Sequence, residues 1–270
     1  MAVPRTITGL IMAGVIFFAI FVPWLAWVLY LFLAASAIIG VSEYYKLAER
    51  AGVKANKPLL FLATSALLAD AYFANLAHFP HVIILSLAMT AAIYVLTVDF
   101  AGSLAGGSAT LFGALWAGLP MALGITILNQ KNGNFILGTL FAINFMTDIG
   151  AYIIGCNLGR HKLCPRLSPK KTIEGSIGGL VFAQLGALFC WFILGVIKTP
   201  LFTIGELFSL AVLFGVTGQI GDLVESGYKR DAGVKNSGNI LHGHGGILDR
   251  MDSLIFSLPL LYLYLLFFPR

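Results

Sequence analysis

The feature that most restricts how this chain can fold is its succession of long apolar segments. A helix needs about 20 mainly apolar residues to cross a bilayer. Only helices and closed barrels satisfy their backbone within lipid, and the segments lack the short alternating strands of a barrel. The sequence therefore predicts an all-α, polytopic integral membrane protein with about nine transmembrane helices. The predicted spans are residues 6–22, 24–42, 59–76, 81–98, 109–128, 135–155, 176–196, 201–221 and 253–268.

Composition excludes a soluble globular protein. Hydrophobic residues make up 59% of the chain and charged residues 11%, whereas a soluble domain carries about a quarter charged residues. The net charge of +5 would suggest a nucleic-acid partner in a soluble protein. In a membrane protein, basic loops on the anionic cytoplasmic face account for it, so we expect no nucleic-acid partner.

The distribution of Lys and Arg predicts the orientation of the chain. With a cytoplasmic N-terminus, fourteen of the seventeen basic residues fall in inner segments, and only Lys131, Lys198 and Arg270 fall in outer ones. Basic residues concentrate in cytoplasmic loops. The two polar loops, residues 156–175 and 227–252, are therefore expected in the cytoplasm. We divide the chain into an N-terminal region of five spans (1–130) and a C-terminal catalytic region (131–270).

Polar chemistry is concentrated in residues 217–252, which hold five of the twelve acidic residues. Charges next to lipid-type sequence are costly and usually functional. Asp222 ends the eighth predicted span, while Asp249 and Asp252 begin the ninth on one helix face. Carboxylates of this kind bind Mg²⁺ together with substrate phosphates. The alternative is structural ion pairing with Lys229, Arg230 or Arg250.

A glycine-rich run, Gly243-His244-Gly245-Gly246, leads into the ninth helix. Glycine lets the backbone approach a ligand closely, and a helix N-terminus presents free N–H groups to phosphate. The neighbouring Lys235 fits the same interpretation. The alternative is an ordinary glycine-rich turn.

Two further segments are candidates for the site. Ser168 before Pro169 predicts a helix start, and Lys170 and Lys171 can meet phosphate or simply follow the positive-inside rule. Asp148 lies within the sixth predicted span, where an acidic residue suggests function. Pairing with a nearby lysine or with Arg160 is the alternative for Asp148.

These motifs together resemble the bacterial phosphatidate cytidylyltransferases, also called CDP-diacylglycerol synthases. The resemblance covers most of the C-terminal half. It is carried by DIGAY at 148–152, SPKKTIEGSIGG at 168–179, QIGDLVES at 219–226, SGYKR at 226–230, Lys235 and GHGGILDRMD at 243–252. The N-terminal half matches in hydropathy and in RTITG at 5–9. Tyr228, Asn236, His242 and Ile149 depart from the family pattern, and we do not assign position 236 to metal.

The resemblance implies a multi-pass enzyme of the inner (plasma) membrane that transfers CMP from CTP to phosphatidic acid in phospholipid biosynthesis, with its site facing the cytoplasm. Mg²⁺, with room for a second cation, is the implied cofactor. The implied metal ligands are Asp222 and Asp249, then Asp252 and Asp148. The implied catalytic residues are Asp222, Asp249, Lys229, Arg230, Arg250 and His244. The implied substrate-binding residues are Ser168, Lys170, Lys171, Thr172, Ser226, Lys235, Gly243, Gly245 and Gly246.

Two other functions remain open on sequence grounds. A CTP-dependent polyprenol or dolichol kinase is also a multi-pass membrane enzyme. It would transfer the γ-phosphate of CTP to an alcohol and release CDP instead of pyrophosphate. A transporter of a phosphorylated solute would carry polar residues along several spans, whereas here they cluster at one face and no internal repeat is found. The sequence leaves open whether the protein forms a homodimer.

Overall fold

The computed structural model describes residues 14–97, 102–238 and 245–269. A helical stretch at 14–21 and a 3₁₀ turn, Pro23–Leu25, come first. Eight long helices follow: α1 Ala26–Arg50, α2 Lys57–Ala74, α3 Phe79–Thr97, α4 Ser103–Leu128, α5 Gly133–Leu158, α6 Ile173–Val196, α7 Ile204–Asp231 and α8 Leu248–Phe267. Helix α4 contains a π-helical turn at Ala114–Gly118. The only strands in the described residues are β1, Lys162–Cys164, and β2, Ser168–Thr172.

The prediction of an all-α, polytopic membrane protein is confirmed. Within the described residues, the eight long helices are each long and apolar enough to cross a membrane, and they correspond to the second to ninth predicted spans. Of the first predicted span, 6–22, residues 6–13 lie outside the described residues, and residues 14–21 are helical. Helix α7 continues ten residues beyond its predicted end at 221, because backbone hydrogen bonding does not stop where side chains become polar.

The described chain forms two compact units. The first unit comprises the residues up to Asn134 together with Tyr228–Met251, and the second comprises Phe135–Gly227 with the residues from Asp252 onward. Helices α7 and α8 each contribute residues to both units. The functional division at residue 130 stays a prediction.

In the first unit, α1, α2 and α4 pack around an aliphatic core that includes Leu33, Leu60 and Met121. Helix α2 begins where the Asn56 side chain accepts the Leu59 N–H at 3.1 Å, which satisfies one of the unpaired donors of the first turn. Tyr44 of α1 donates a hydrogen bond to the Ala109 carbonyl at 3.0 Å. The Tyr44 hydrogen bond thus links α1 to α4.

In the second unit, the segment expected to start a helix at Ser168 is a strand, so that prediction is wrong. Strand β2 pairs with β1 in an antiparallel hairpin, with Lys162 opposite Thr172 and Cys164 opposite Ser168. Helix α6 begins only at Ile173, and the Thr172 hydroxyl caps it by accepting the Gly175 N–H at 3.1 Å. Pairing with β1 keeps residues 168–172 extended, so the helix begins after Thr172 and not at Ser168 and Pro169.

Candidate functional site

Three carboxylates of the second unit form an acidic cluster: Asp222 and Glu225 on α7, and Asp252 on α8. One oxygen from each lies within 4.8 Å of the others. Glu225 is fully buried, and the two aspartates are half-buried. Three carboxylates this close repel one another, so the arrangement calls for a bound cation or another compensating positive charge.

The acidic cluster is assembled by a close approach of α7 and α8. A Cβ placed at Gly221 would collide with the Asp252 carbonyl oxygen, and one placed at Gly218 would lie 3.2 Å from the Ser253 side chain. The neighbouring helix α6 is tied to α7 because Ser176 donates to the Gln219 side chain, whose amide donates back to the Ser176 carbonyl at 3.2 Å. Small residues thus bring the two acidic helix segments together.

Polar side chains of the second unit surround Asp222. Lys171 of β2 forms an ion pair with Asp222 Oδ2, and the Ser226 hydroxyl lies 3.4 Å from Asp222 Oδ1. Asp148 on α5 belongs to the same unit and is exposed. The structure therefore brings together four residues that the sequence predicted: Asp222, Asp252, Lys171 and Ser226.

The β1–β2 hairpin presents the remaining predicted residues of this segment. Lys170 is exposed, Ser168 is partly buried, and Thr172 is buried at the cap of α6. The Glu174 carboxylate anchors the hairpin by accepting the backbone N–H groups of Arg160 and His161, at 3.0 and 3.2 Å. Thr172 has a structural role as the cap of α6, and its contact with substrate stays a prediction.

A second polar group lies in the first unit around Asp249. Lys229 Nζ is 2.6 Å from Asp249 Oδ1, and only 11% and 12% of the two side chains are exposed. Asp249 Oδ2 accepts the backbone N–H groups of Ser237 and Gly246 at 3.0 and 2.8 Å, and the Ser237 hydroxyl at 3.0 Å. Asp249 thus forms the ion pair with Lys229 that the sequence offered as the alternative to metal binding. Binding of Mg²⁺ by Asp249 stays a prediction.

The glycine-rich run is described only in part. Gly245 has a φ of +84°, a conformation that favours glycine, and Gly246 is buried. Gly243 and His244 lie outside the described residues, so their predicted roles stay predictions. Lys235 is exposed in the turn after α7.

The two arginines of the signature occupy the surface of the first unit. Arg230 and Arg250 are exposed, and Arg230 donates to the Val234 carbonyl at 3.2 Å. Tyr228, a departure from the family pattern, packs edge-on against Trp116 with ring centroids 5.0 Å apart. The Tyr228 ring thus takes part in the packing of the first unit.

Sequence reasoning missed two buried carboxylates. Glu225 received no role, although it follows Asp222 by three residues and so shares its helix face. Glu43 lies just beyond the second predicted span, 24–42, and received no role, but it is fully buried in the first unit. Its partners are distant in sequence, so no local signal identifies it.

Two comparisons relate this chain to known proteins. Residues 3–268 match the Cytidylyltransferase family. The chain is 48% identical over 126 residues to the phosphatidate cytidylyltransferase of Staphylococcus haemolyticus (strain JCSC1435), and 50% identical over 132 residues to that of Staphylococcus aureus (strain COL). Each alignment covers 47% of this chain and 47% of the relative. The matched part of the chain therefore spans about half the length of these relatives.

Proposed function

Because the chain belongs to the cytidylyltransferase family, we propose that it transfers the cytidylyl group of CTP to phosphatidic acid, giving CDP-diacylglycerol and pyrophosphate. The observation that carries the proposal is the acidic cluster with Lys171 paired to it, set in helices apolar enough to cross a membrane. Such a site handles cations and phosphates next to lipid. The two staphylococcal relatives are phosphatidate cytidylyltransferases, which supports the same reaction.

The proposed reaction needs no strong base. A phosphate oxygen of phosphatidic acid attacks the α-phosphorus of CTP, the bond from that phosphorus to the oxygen bridging to the β-phosphorus breaks, and pyrophosphate leaves with the electron pair. The difficulty is to bring two anions together and to stabilise charge on the leaving group. Positioning and electrostatics supply most of the catalysis in transfers of this kind.

Asp222, Glu225 and Asp252 would hold Mg²⁺, because hard divalent cations take oxygen ligands and the three carboxylates converge. Asp148 and Asp249 are further candidates. The bound ion would neutralise phosphate charge. Lys171 would exchange its pairing with Asp222 for a phosphate oxygen of a substrate. The other cationic residues proposed to meet phosphates are Lys170, Lys229, Arg230, Lys235 and Arg250.

The proposed setting is a bacterial inner membrane, with the site facing the cytoplasm, where CTP and Mg²⁺ are available. Phosphatidic acid would reach the site from the bilayer.

The reaction is tested by incubating the purified full chain with CTP labelled at the α-phosphorus, Mg²⁺ and phosphatidic acid in mixed micelles. We expect labelled CDP-diacylglycerol and pyrophosphate in equal amounts. Release of CDP with a phosphorylated polyprenol or dolichol, when such an alcohol replaces phosphatidic acid, would select the lipid kinase instead.

The metal assignment is tested by Asp222→Asn. Removing one charge from the acidic cluster should lower kcat about 100-fold or more, since groups that stabilise developing charge contribute on that scale. The control is Asp231→Asn, an exposed acid at the end of the same helix, which should retain activity. Asp249→Asn should likewise abolish turnover at any Mg²⁺ concentration. Substantial activity in either site variant at the original Mg²⁺ requirement would refute that residue's assignment.

A further inference from the structure

Glu43 of α1 places a fully buried carboxylate in the first unit. It accepts the Ser237 hydroxyl at 2.9 Å and the backbone N–H groups of Ile247 and Leu248 at 3.1 and 2.9 Å. Ser237 and Leu248 lie on opposite sides of residues 239–244, in the segment that joins α7 to α8 and contains the glycine-rich run. One carboxylate therefore holds both described ends of that segment, which we call the loop ends (residues 237–238 and 245–248).

The contacts at Glu43 satisfy a buried charge that would otherwise be very costly. Two of its donors are N–H groups at the start of α8, where backbone donors lack partners within the helix and favour negative charge. Removing the carboxylate would take away the acceptor of the Ile247 and Leu248 N–H groups. The interaction thus stabilises a particular path of the backbone into α8.

Two glycines allow this close approach. A Cβ at Gly238 would collide with Glu43 Oε1, and a Cβ at Gly246 would collide with Glu43 Oε2 and with the Ser237 hydroxyl. Backbone at both loop ends is therefore packed directly against the carboxylate. Glycine at these two positions is required by the presence of Glu43, which gives part of the glycine-rich pattern a reason other than ligand binding.

The loop ends in turn hold Asp249. Ser237 and Gly246, both packed against Glu43, donate their backbone N–H groups to Asp249 Oδ2, while Lys229 pairs with Asp249 Oδ1. The Ser237 hydroxyl lies between the two carboxylates, 2.9 Å from Glu43 Oε2 and 3.0 Å from Asp249 Oδ2, and its single proton is shared between them. A change at Glu43 is therefore transmitted to Asp249 through atoms that both carboxylates share.

We propose that Glu43 is a positioning residue for the cytidylyl transfer: it fixes the loop ends and, through them, the orientation of Asp249 and Lys229. The proposal rests on the proposed function for its catalytic consequence. It assigns a role in the reaction to α1. The motifs that resemble the family lie mostly in the C-terminal half of the chain and not in this helix.

The positioning itself is tested without any substrate, by hydrogen–deuterium exchange of the full-length protein in detergent. In Glu43→Gln, the NH₂ group of the amide replaces one carboxylate oxygen. It would then face the Ser237, Ile247 or Leu248 groups that donate to Glu43, and it cannot accept a hydrogen bond from them. Exchange in the peptide covering residues 245–251 should accelerate about tenfold, as expected for loss of a buried charged acceptor. Exchange in α2 and α6 should not change. Glu49→Gln, an exposed acid on the same helix, is the matched control. Unchanged exchange at 245–251, or equal acceleration throughout the protein, would overturn the proposal.

The catalytic consequence is read in the same preparations. Wild-type protein is assayed first with CTP, Mg²⁺ and phosphatidic acid, so that an inactive wild type refutes the proposed reaction and leaves the exchange result to decide the role of Glu43 in the loop. In active protein, Glu43→Gln should lower kcat by about 10- to 100-fold, the usual range for supporting hydrogen-bond partners. The KM for phosphatidic acid should change less than kcat, because Lys171 and the acidic cluster of the second unit are untouched.

A kcat equal to that of the wild type would contradict the proposal. If Glu43→Gln does not fold, Gly238→Ala replaces it in both measurements. Its methyl group displaces the Glu43 carboxylate from the loop side while leaving the charge in place. The same local acceleration of exchange and the same loss of kcat are expected.

Discussion

Only 11% of the Lys229 side chain is exposed, and its ammonium group lies 2.6 Å from Asp249 Oδ1. A lysine this buried is tolerated because the carboxylate compensates its charge, and Asp249 is itself held by three N–H or O–H donors. Removing one partner of a buried pair leaves the other charge uncompensated. Single residues of the signature therefore contribute to stability as well as to the proposed chemistry.

We expect Lys229→Met to lower the free energy of unfolding by about 3 kcal/mol, the range for breaking a buried ion pair. Denaturant unfolding in mixed micelles measures the change. Lys46→Met, an exposed lysine on α1, should alter the same quantity by less than about 0.5 kcal/mol. Equal effects of the two substitutions would show that the Lys229–Asp249 pair contributes nothing specific.

At the scale of elements, the second unit depends on small residues where α5 meets α6. A Cβ at Gly178 would lie 2.5 Å from the Ile154 side chain, and Gly155 approaches Gly175 closely enough that an added Cβ would be 3.6 Å from its Cα. Transmembrane helices gain little from the hydrophobic effect in lipid, so close backbone packing between small residues takes its place. This packing also sets the start of α6, next to the hairpin that carries Lys171.

Alanine substitutions at two glycines of α6 distinguish the effect of packing on stability from the effect of helix propensity. Gly178→Ala should destabilise the protein by about 1–3 kcal/mol, because the added methyl group overpacks against Ile154. Gly195→Ala should be neutral or stabilising by up to about 1 kcal/mol, since nothing lies within 4 Å of its Cβ position and alanine favours the helix. Thermal unfolding of both variants in one detergent provides the comparison. A similar loss of stability in both would show that the α5–α6 contact is not tightly packed.

At the scale of the whole molecule, the asymmetry of basic residues predicts that the β1–β2 hairpin faces the cytoplasm. The hairpin carries Cys164, one of three free cysteines, and Cys190 is buried in α6. Cys164 is thus a natural reporter of orientation. The same prediction places Lys131, which is exposed between α4 and α5, on the outer side.

In a variant that keeps Cys164 as its single cysteine, a membrane-impermeant thiol reagent should label inverted vesicles and not intact spheroplasts. A second variant, with Lys131→Cys as the single cysteine, should give the opposite result. The physical reason is that basic loops are retained on the cytoplasmic side during insertion. Labelling of Cys164 from outside the cell would reverse the predicted orientation.

The candidate site was predictable where its residues are neighbours along a helix. Asp222 with Ser226 and the acidic start of α8 follow from spacing and polarity. Glu225 was missed, although the same helix periodicity places it on the face of Asp222. The hairpin was not predictable, because its pairing of Lys162 with Thr172 depends on contacts across residues that each look like loop. Burial of Glu43 was not predictable either, since its partners lie about 200 residues away.

The sequence by itself determined that this protein is a bundle of membrane-type helices with its charges collected in a few segments, because the lengths of apolar runs and the positions of charges are local properties. It also carried the motifs of the cytidylyltransferase family. Only the tertiary structure decided which charges compensate one another. Lys171 pairs with Asp222, Lys229 pairs with Asp249, and Glu43 holds the loop ends, because burial of a charge requires a partner and that partner can come from any part of the chain.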